Sequence, residues 1–444
     1  MLSLFAMLSG CRSGPSADLI ILHADVFDSQ TGKVYPNQTI LVKDGNILDI
    51  ANGDAVVKGR KTIDAKRKLV TPGFIDTHIH PTDVFGDGDQ APEYLPADSL
   101  DVYRKRLSDQ YLPYGVTTVF SMGQPERWLP ELVKWQKNPS ASRVDFYVAG
   151  GALISAEARK PYVAHTTVNN PVEARQKILD YHAMGLQYVK LYWRLRRPEF
   201  EAAYRTADSL GMKIYGHIDQ NVMFIDSTVD LGLKHYEHIL TLDLNVLQLK
   251  DDGAEFGERV RQYYGPSALN FPLLRLEMLR MVYDKKKPAL DALVGRLALQ
   301  HASVSTTIHL MAEPFGLTDF TNGQDSSLTE AHKARGRENF KLFMRLARDL
   351  ADNGVMLRMG TDCPQGGKAM ISEQLLLTEY GFTPTEVLQI STIHGAKAMG
   401  LDQQLGSLHN GKKAHMIIWD SSPLIDARNF TSAKTVVKDG LVLN

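Results

Sequence analysis

Four histidines, a lysine and an aspartate stand near the ends of short apolar runs: His78 and His80 in TPGFIDTHIH, Lys190 in LQYVKLYW, His217 in MKIYGHI, His238 in LKHYEHI and Asp362 in VMLRMGTD. Imidazole nitrogens and carboxylate oxygens are the ligands that suit Zn²⁺ and neighbouring divalent ions. His78 and His80 are separated by one residue, so the period-two alternation of a strand turns both to one side. Each residue alone has an ordinary explanation. A histidine at a strand end is more often a hydrogen-bonded structural group, a lone lysine pairs with a carboxylate, and a lone aspartate caps the next helix. Six ligand-type residues at matching positions on five runs point instead to a metal site. Lys190 is the odd member, because an ammonium group has no lone pair for a metal.

Those positions acquire meaning from the elements that carry them. In the middle of the chain eight strand-like runs alternate with amphipathic helices: GFIDTHI, VTTVFSM, VDFYVAG, LQYVKLY, MKIYGHI, LKHYEHI, STTIHLM and VMLRMGTD. Asn170 and Pro171 open one of the helices and Gly185 closes it, following N-cap and C-terminal preferences. This alternation predicts an α/β fold of the (β/α)₈ TIM-like barrel type, in which catalytic groups gather at the carboxyl ends of the strands. The flanks differ. Residues 18–70 are short β-like runs with hairpin-type pairs at Asp44-Gly45 and Asn52-Gly53, and the carboxy terminus returns to that style with Asp439-Gly440. The expected division is a small β-sandwich domain from 18–70 plus 403–444, and a barrel over 71–402. A helical insertion at about 240–304 would lie over the barrel mouth as a lid or decorate its rim.

Composition narrows the function classes. The chain has 444 residues, 43% of them hydrophobic and 23% charged, which is ordinary for a globular protein able to bury a core. Fifty basic against fifty-one acidic residues leave a formal charge of −1, so no nucleic-acid partner is expected and a small-molecule substrate fits better. Two cysteines, Cys11 and Cys363, are too few and too far apart for a disulfide framework. The opening MLSLFAMLSGCRSGPSAD resembles the lipobox of bacterial lipoproteins. That resemblance implies a signal and linker over 1–17, a lipid on Cys11, and a membrane-anchored periplasmic protein whose lipid is its sole membrane contact. An incidental cysteine in a frayed terminus, with a cytoplasmic location, is the competing reading.

TPGFIDTHIH, YGVTTVFSMG, MGTDCPQGG and the tail GFTPTEVLQISTIHGAKAMGLDQQLGSLHNGKKAHMIIWD together resemble the amidohydrolase superfamily over nearly the whole chain. The resemblance implies a metal-bearing barrel with a composite β-domain. It also implies two divalent ions, Zn²⁺ or similar, with His78, His80 and Asp362 on one and His217 and His238 on the other. Lys190, N-carboxylated by CO₂, would bridge them, and a hydroxide between the ions would attack the substrate. Asp362 would take the proton and pass it to the leaving nitrogen. Single-metal deaminases of the superfamily resemble this pattern but carry a glutamate where HIDQ has Gln220, and they lack the lysine. Within the two-metal branch, LQYVKLYW and KHYEHI look most like the imidazolonepropionase-like and Xaa-Pro dipeptidase-like groups.

The expected activity is hydrolysis of an amide C–N bond in a dipeptide, N-acyl amino acid or cyclic amide. An esterase, lactonase or phosphotriesterase is the alternative enzyme, and a non-catalytic metal- or ligand-binding lipoprotein the alternative of another class. Arg194, Arg196 and Arg197 in WRLRRPE offer forked hydrogen bonds to a substrate carboxylate, against a solvated basic loop. His309, ending the seventh run, either contacts substrate or is structural. Cys363 is expected to be a buried structural thiol. Asp76 shares the parity of His78 and is placed to orient a ligand, while Asp83 belongs to the following loop.

Overall fold

The computed structural model describes residues 17–53, 59–85, 91–92, 94–157, 165–218, 223–265, 270–320 and 328–443. The expected leader with Cys11, and Gln220, lie outside the described residues. From the amino end the strands are β1 (Ala17–Asp28), β2 (Lys33–Lys43), β3 (Asn46–Asn52), β4 (Gly59–Asp64) and β5 (Leu69–Pro72). Then come β6 (Phe74–Ile79), β7 (Val116–Ser121), β8 (Asp145–Val148), β9 (Ala152–Ser155), β10 (His165–Val168), β11 (Tyr188–Leu191) and β12 (Lys213–Gly216). β13 (His235–Tyr236), β14 (Ser303–Ser305) and β15 (Met356–Arg358) follow, and β16 (Met416–Trp419), β17 (Lys434–Lys438) and β18 (Leu441–Leu443) close the chain.

The two ends of the chain build one sheet, in the order β18-β17-β16-β5-β1-β2-β3 with β4 on β1. Two hairpins turn where the sequence expects, because Asp44 and Gly45, and Asp439 and Gly440, all have the positive φ that a tight two-residue hairpin turn requires; Asn52-Gly53 instead ends β3 without a hairpin, since β4 pairs with β1. Leu19, Ile21, Val26, Ile40, Val42, Val70, Met416, Ile418 and Val437 form its apolar core. The antiparallel pair β5–β16 joins amino-terminal to carboxy-terminal chain, and β5 leads through Gly73 straight into β6.

The middle of the chain forms parallel strands in two sheets, β6-β7-β8 and β10-β9-β11-β12-β13-β14-β15. Every residue of β6, β7, β9, β11 and β14 is buried, as expected of parallel strands covered on both faces. At one edge the two sheets are stitched by Thr77 N–H to Met359 O and Asp362 N–H to His78 O, both 2.9 Å. Asn170 caps the helix Pro171–Met184 through Val172 N–H and Glu173 N–H, and left-handed Gly185 ends it. The insertion after β13 is helical, with Leu249–Tyr264, Phe271–Lys285 and Lys287–Leu299.

Two features depart from the sequence reading. The run STTIHLM is not one strand: β14 stops at Ser305, Thr307 turns left-handed (φ 49°), and His309 sits on a short helix, Ile308–Ala312. The buried Glu373 carboxylate causes the switch by accepting Ile308 N–H (2.7 Å) and His309 N–H (3.2 Å), which a strand would direct to a neighbour. The second departure is the extra pair β9 and β10, with β9 rather than β8 paired to β11. Gly150 and Gly151 permit it, since a Cβ on either would fall within 2.1 Å of Tyr181 or 2.0 Å of Thr166.

A buried ion cluster locks β8 to the terminal sheet. Asp145 pairs with Lys413 and Lys438 (2.7 Å each), and Asp439 pairs with Lys438 (2.8 Å) and His415 (2.9 Å). Burial alone would raise the Asp145 carboxyl, but His415, Lys438 and Lys413 outweigh it and hold it below the usual value. A carboxyl depressed by folding contributes stability above its unfolded pKa and loses it as pH falls through the folded value. Asp145→Ala should therefore cost about 3 kcal/mol at pH 7, read from urea unfolding. The gap to wild type should narrow once the pH drops below about 4. Equal unfolding midpoints at pH 7 would show that the cluster is stabilising nothing.

Candidate metal centre

All six sequence-selected residues meet in one place at the carboxyl ends of the parallel strands. His78 lies in β6 and His80 just beyond it; Lys190 lies in β11; His217, His238 and Asp362 follow β12, β13 and β15. Asp362 is the hub, with its carboxylate 3.1 Å from His80 Nε2, 3.6 Å from His78 Nε2 and 3.8 Å from His238 Nε2. Lys190 Nζ is 3.1 Å from His78 Nε2. The His217 ring is centred 4.7 Å from the His238 ring, which in turn is 4.5 Å from that of His78.

The backbone is bent to make this possible. His238 (φ 65°) and Asp362 (φ 49°) both adopt the left-handed conformation, as do Arg194 after β11 and Thr307 after β14. For residues other than glycine this costs roughly 1–3 kcal/mol each and persists where surrounding contacts enforce it. Asp76, buried in β6, supplies such contacts: it accepts N–H bonds from His78 (3.1 Å) and Thr361 (3.1 Å), and the Thr361 hydroxyl (2.6 Å). It thus orients the backbone on either side of the site rather than a ligand's ring. Asp83, in the single turn Pro81–Phe85, accepts His80 N–H at 3.3 Å.

Three of the imidazoles are oriented from behind. His78 Nδ1 meets Glu237 at 2.5 Å, His80 Nδ1 meets Gly123 O at 2.8 Å and His238 Nδ1 meets Thr307 Oγ1 at 3.0 Å, leaving each Nε2 facing Asp362. His217 differs, because its buried Nδ1 has no hydrogen-bond partner among the described residues. Burial pushes the imidazoles of His78 to about 4 and His238 to about 3, and holds His217 well below its usual value. These three rings are therefore neutral at pH 7 with lone pairs available. Burial would raise the Asp362 carboxyl, but the surrounding imidazoles, with His80 Nε2 at 3.1 Å, outweigh burial and hold it well below its usual value. The fully buried Lys190 amine is lowered to about 8, burial being the main cause.

Imidazoles around a fixed carboxylate are a divalent-cation donor set, and the ligand atoms of His78, His80 and Asp362 lie within 4.8 Å of one another. The orphaned His217 Nδ1 fits the same conclusion, since a buried polar atom without a partner costs roughly 1–3 kcal/mol that ligation would remove.

The candidate substrate residues are arranged differently. Arg194 pairs with Glu157 at 3.0 Å and lies over the Trp193 ring; Arg196 pairs with Glu199 (2.7 Å) and Arg197 with Glu201 (2.8 Å). Each is paired to a carboxylate of its own surroundings. His309 is fully buried and stacked on Phe320, with neither ring nitrogen hydrogen-bonded among the described residues and Glu313 4.0 Å from Nε2. Cys363 is a buried free thiol, pushed well up by burial. The sequence reading missed Glu237 and Arg358, both fully buried and paired with each other beneath His78. A signal existed for Arg358, the one charged residue of the run VMLRM, but HYEHI gave Glu237 no such contrast.

Residues 292–443 match the family model described as "Amidohydrolase family". An imidazolonepropionase of Geobacillus kaustophilus (strain HTA426) is 34% identical over 104 residues, 22% of this chain and 24% of that protein. One from Shewanella frigidimarina (strain NCIMB 400) is 36% identical over 96 residues, 20% of this chain and 23% of that protein. The matched stretch thus spans about a quarter of these relatives. Solved structures share the fold across 96% of this chain. They include A. niger ochratoxinase (16% identity, TM-score 0.67, 95% of that chain), a Xaa-Pro dipeptidase with bound methionine in its active site (17%, 0.65, 99%) and bottromycin amidohydrolase (19%, 0.68, 86%).

Gly360, two residues before Asp362, provides a test of how tightly the site is set. A Cβ there would lie 2.7 Å from His78 Cβ and 3.0 Å from Ser305 Cβ. Gly360→Ala is expected to displace His78, destabilise by about 1–3 kcal/mol and reduce bound metal. A variant with wild-type melting temperature and metal content would show that the strands can part there at no cost.

Proposed function

We propose that this chain, a member of the amidohydrolase superfamily, is a metal-dependent hydrolase that cleaves an amide C–N bond in a small molecule. The observation that carries the reading is the convergence of four imidazoles, Lys190 and Asp362 on one buried point. The family match and the shared fold support it, and the closed (β/α)₈ barrel with a β-sandwich from residues 18–70 and 403–444 belongs to the same proposal.

His78, His80 and Asp362 would hold one divalent ion of the Zn²⁺ type, and His217 and His238 a second. Lys190 would join them as a carbamate, its amine adding to CO₂ with loss of a proton; burial supports this by increasing the fraction of neutral, nucleophilic amine. Divalent ions bound there would polarise the scissile carbonyl and lower the pKa of water toward ~7. Asp362 would accept the proton of the attacking water and deliver it to the departing nitrogen. The strand ends wall the site with Tyr192, whose ring is centred 5.1 Å from Lys190 Nζ and 4.8 Å from the His217 ring. Of the residues considered for substrate contact, His309 is retained, because among the described residues neither of its buried ring nitrogens is hydrogen-bonded, Glu313 lying 4.0 Å from Nε2.

The relatives named above suggest dipeptides, N-acyl amino acids and cyclic amides as the substrates to screen. Chelation should abolish turnover, and Zn²⁺ should restore it. Lys190→Ala should lose most bound metal and lower kcat/KM by roughly 100-fold or more. On a matched panel, amides should outpace esters, lactones and phosphotriesters relative to their uncatalysed rates. The reverse order would favour the esterase reading, and a fully active Lys190→Ala enzyme would sink the two-ion arrangement.

A further inference from the structure

We infer that Glu237, clamped by Arg358, is the positioning residue that fixes the tautomer and aim of His78 toward a divalent cation; this rests on the metal-centre reading above. Two hydrogen bonds on opposite edges of the His78 ring agree. Its Nδ1 is 2.5 Å from Glu237 Oε2, and its Nε2 is 3.1 Å from Lys190 Nζ. An ionised carboxylate can only accept, so His78 carries its proton on Nδ1 and turns the Nε2 lone pair toward Lys190 and Asp362.

The carboxylate is kept ionised by its surroundings. Arg358 Nη2 donates to Glu237 Oε1, and Ser305 Oγ donates to Oε2 at 2.8 Å. Arg358 is itself held by Thr77 Oγ1 (2.8 Å), Ser303 Oγ (3.2 Å) and Tyr236 O (3.1 Å), with its guanidinium 5.3 Å from the centre of the Tyr215 ring. Both side chains are completely buried.

A purely structural Arg–Glu pair favours the bidentate fork, in which both carboxylate oxygens face the guanidinium. Glu237 divides its oxygens instead, one to Arg358 and one to His78. His80 and His238 are oriented by neutral oxygens, from Gly123 and Thr307. Among these three oriented rings His78 alone is backed by a charge, and an anionic acceptor behind an imidazole increases its basicity toward a metal. The pair therefore raises affinity at the position that His78 shares with His80 and Asp362.

Zn²⁺ titration of the full-length apo protein against a chromophoric chelator tests this, alongside the thermal midpoint of each apo variant. Glu237→Gln keeps the shape and removes the charge, and it should weaken the tighter Zn²⁺ affinity about 10- to 100-fold. Glu237→Gln/Arg358→Met removes both charges, so no unpaired guanidinium is left to prevent folding. It should show the same loss, because neutralising Arg358 does nothing for His78. A folded Glu237→Gln or double variant with wild-type Zn²⁺ affinity would make the pair structural only and overturn the inference while leaving the metal centre standing. A wild-type protein that takes up no Zn²⁺ would overturn both.

Discussion

The Glu237–Arg358 ion pair has no contact with solvent, and the rest of the centre is arranged around it. Removing two charges from water costs several kcal/mol per ion, so such a pair persists only when almost every remaining donor and acceptor is satisfied. Here Ser303, Ser305, Thr77, the Tyr236 carbonyl and His78 provide those partners from β6, β13 and β14, while Arg358 itself stands on β15. Four chain segments far apart in sequence are thereby held in fixed register at one depth. The seam between the two parallel sheets, where Asp362 N–H reaches His78 O, falls at the same level. A polar interior of this kind contributes little net stability, and its effect is to leave one arrangement of side chains satisfied.

The left-handed residues are the second part of that arrangement. In a regular strand, Glu237 and His238 would point to opposite faces. His238 at φ 65° breaks the alternation, so the carboxylate reaches His78 from below while the next imidazole turns toward Asp362. Thr307 does comparable work after β14: its turn starts a helix, and its hydroxyl supports His238. Strain of roughly 1–3 kcal/mol per residue at several strand ends of one face is a large fraction of a domain's stability. Elsewhere positive φ falls in turns such as Asp44-Gly45 and Asp439-Gly440, and the remote cluster of Asp145, Lys413 and Lys438 is compensated by direct opposite-charge contacts.

How much was legible follows from which rules were local. The parity of His78 and His80, the tight turns at Asp44-Gly45 and Asp439-Gly440, and the capped helix after Asn170 depend on neighbours within a few residues, and sequence alone revealed them. The common β-sheet of both termini was legible because β-type patterning returned at the end. Glu237 was hidden because period two assigns it to the face away from His238, and nothing local announces that His238 is left-handed. The split of STTIHLM was hidden for a different reason: the carboxylate that converts its second half into a helix is Glu373, far along the chain. β9 and β10 depend on a close approach of Gly150 and Gly151 to Tyr181 and Thr166, which is again a tertiary fact.

The arginine loop shows the same limit in electrostatic form, and it bears on what the site can recognise. Read as sequence, WRLRRPE offers three cations for an anionic substrate. Folded, Arg194, Arg196 and Arg197 each face a carboxylate, from Glu157, Glu199 and Glu201. Paired charges of opposite sign cancel at distances beyond the Debye length of ~8–10 Å, so the loop contributes little net attraction to an approaching anion. Releasing any one arginine to a substrate would require breaking an existing pair, and at partly exposed sites the exchange gains little. Next to Lys190 the loop instead presents Tyr192 and Trp193, with Arg194 laid over Trp193 at 4.4 Å. Aromatic surface offers shape and apolar area rather than charge, so this edge of the site is walled by rings, with its arginines already paired.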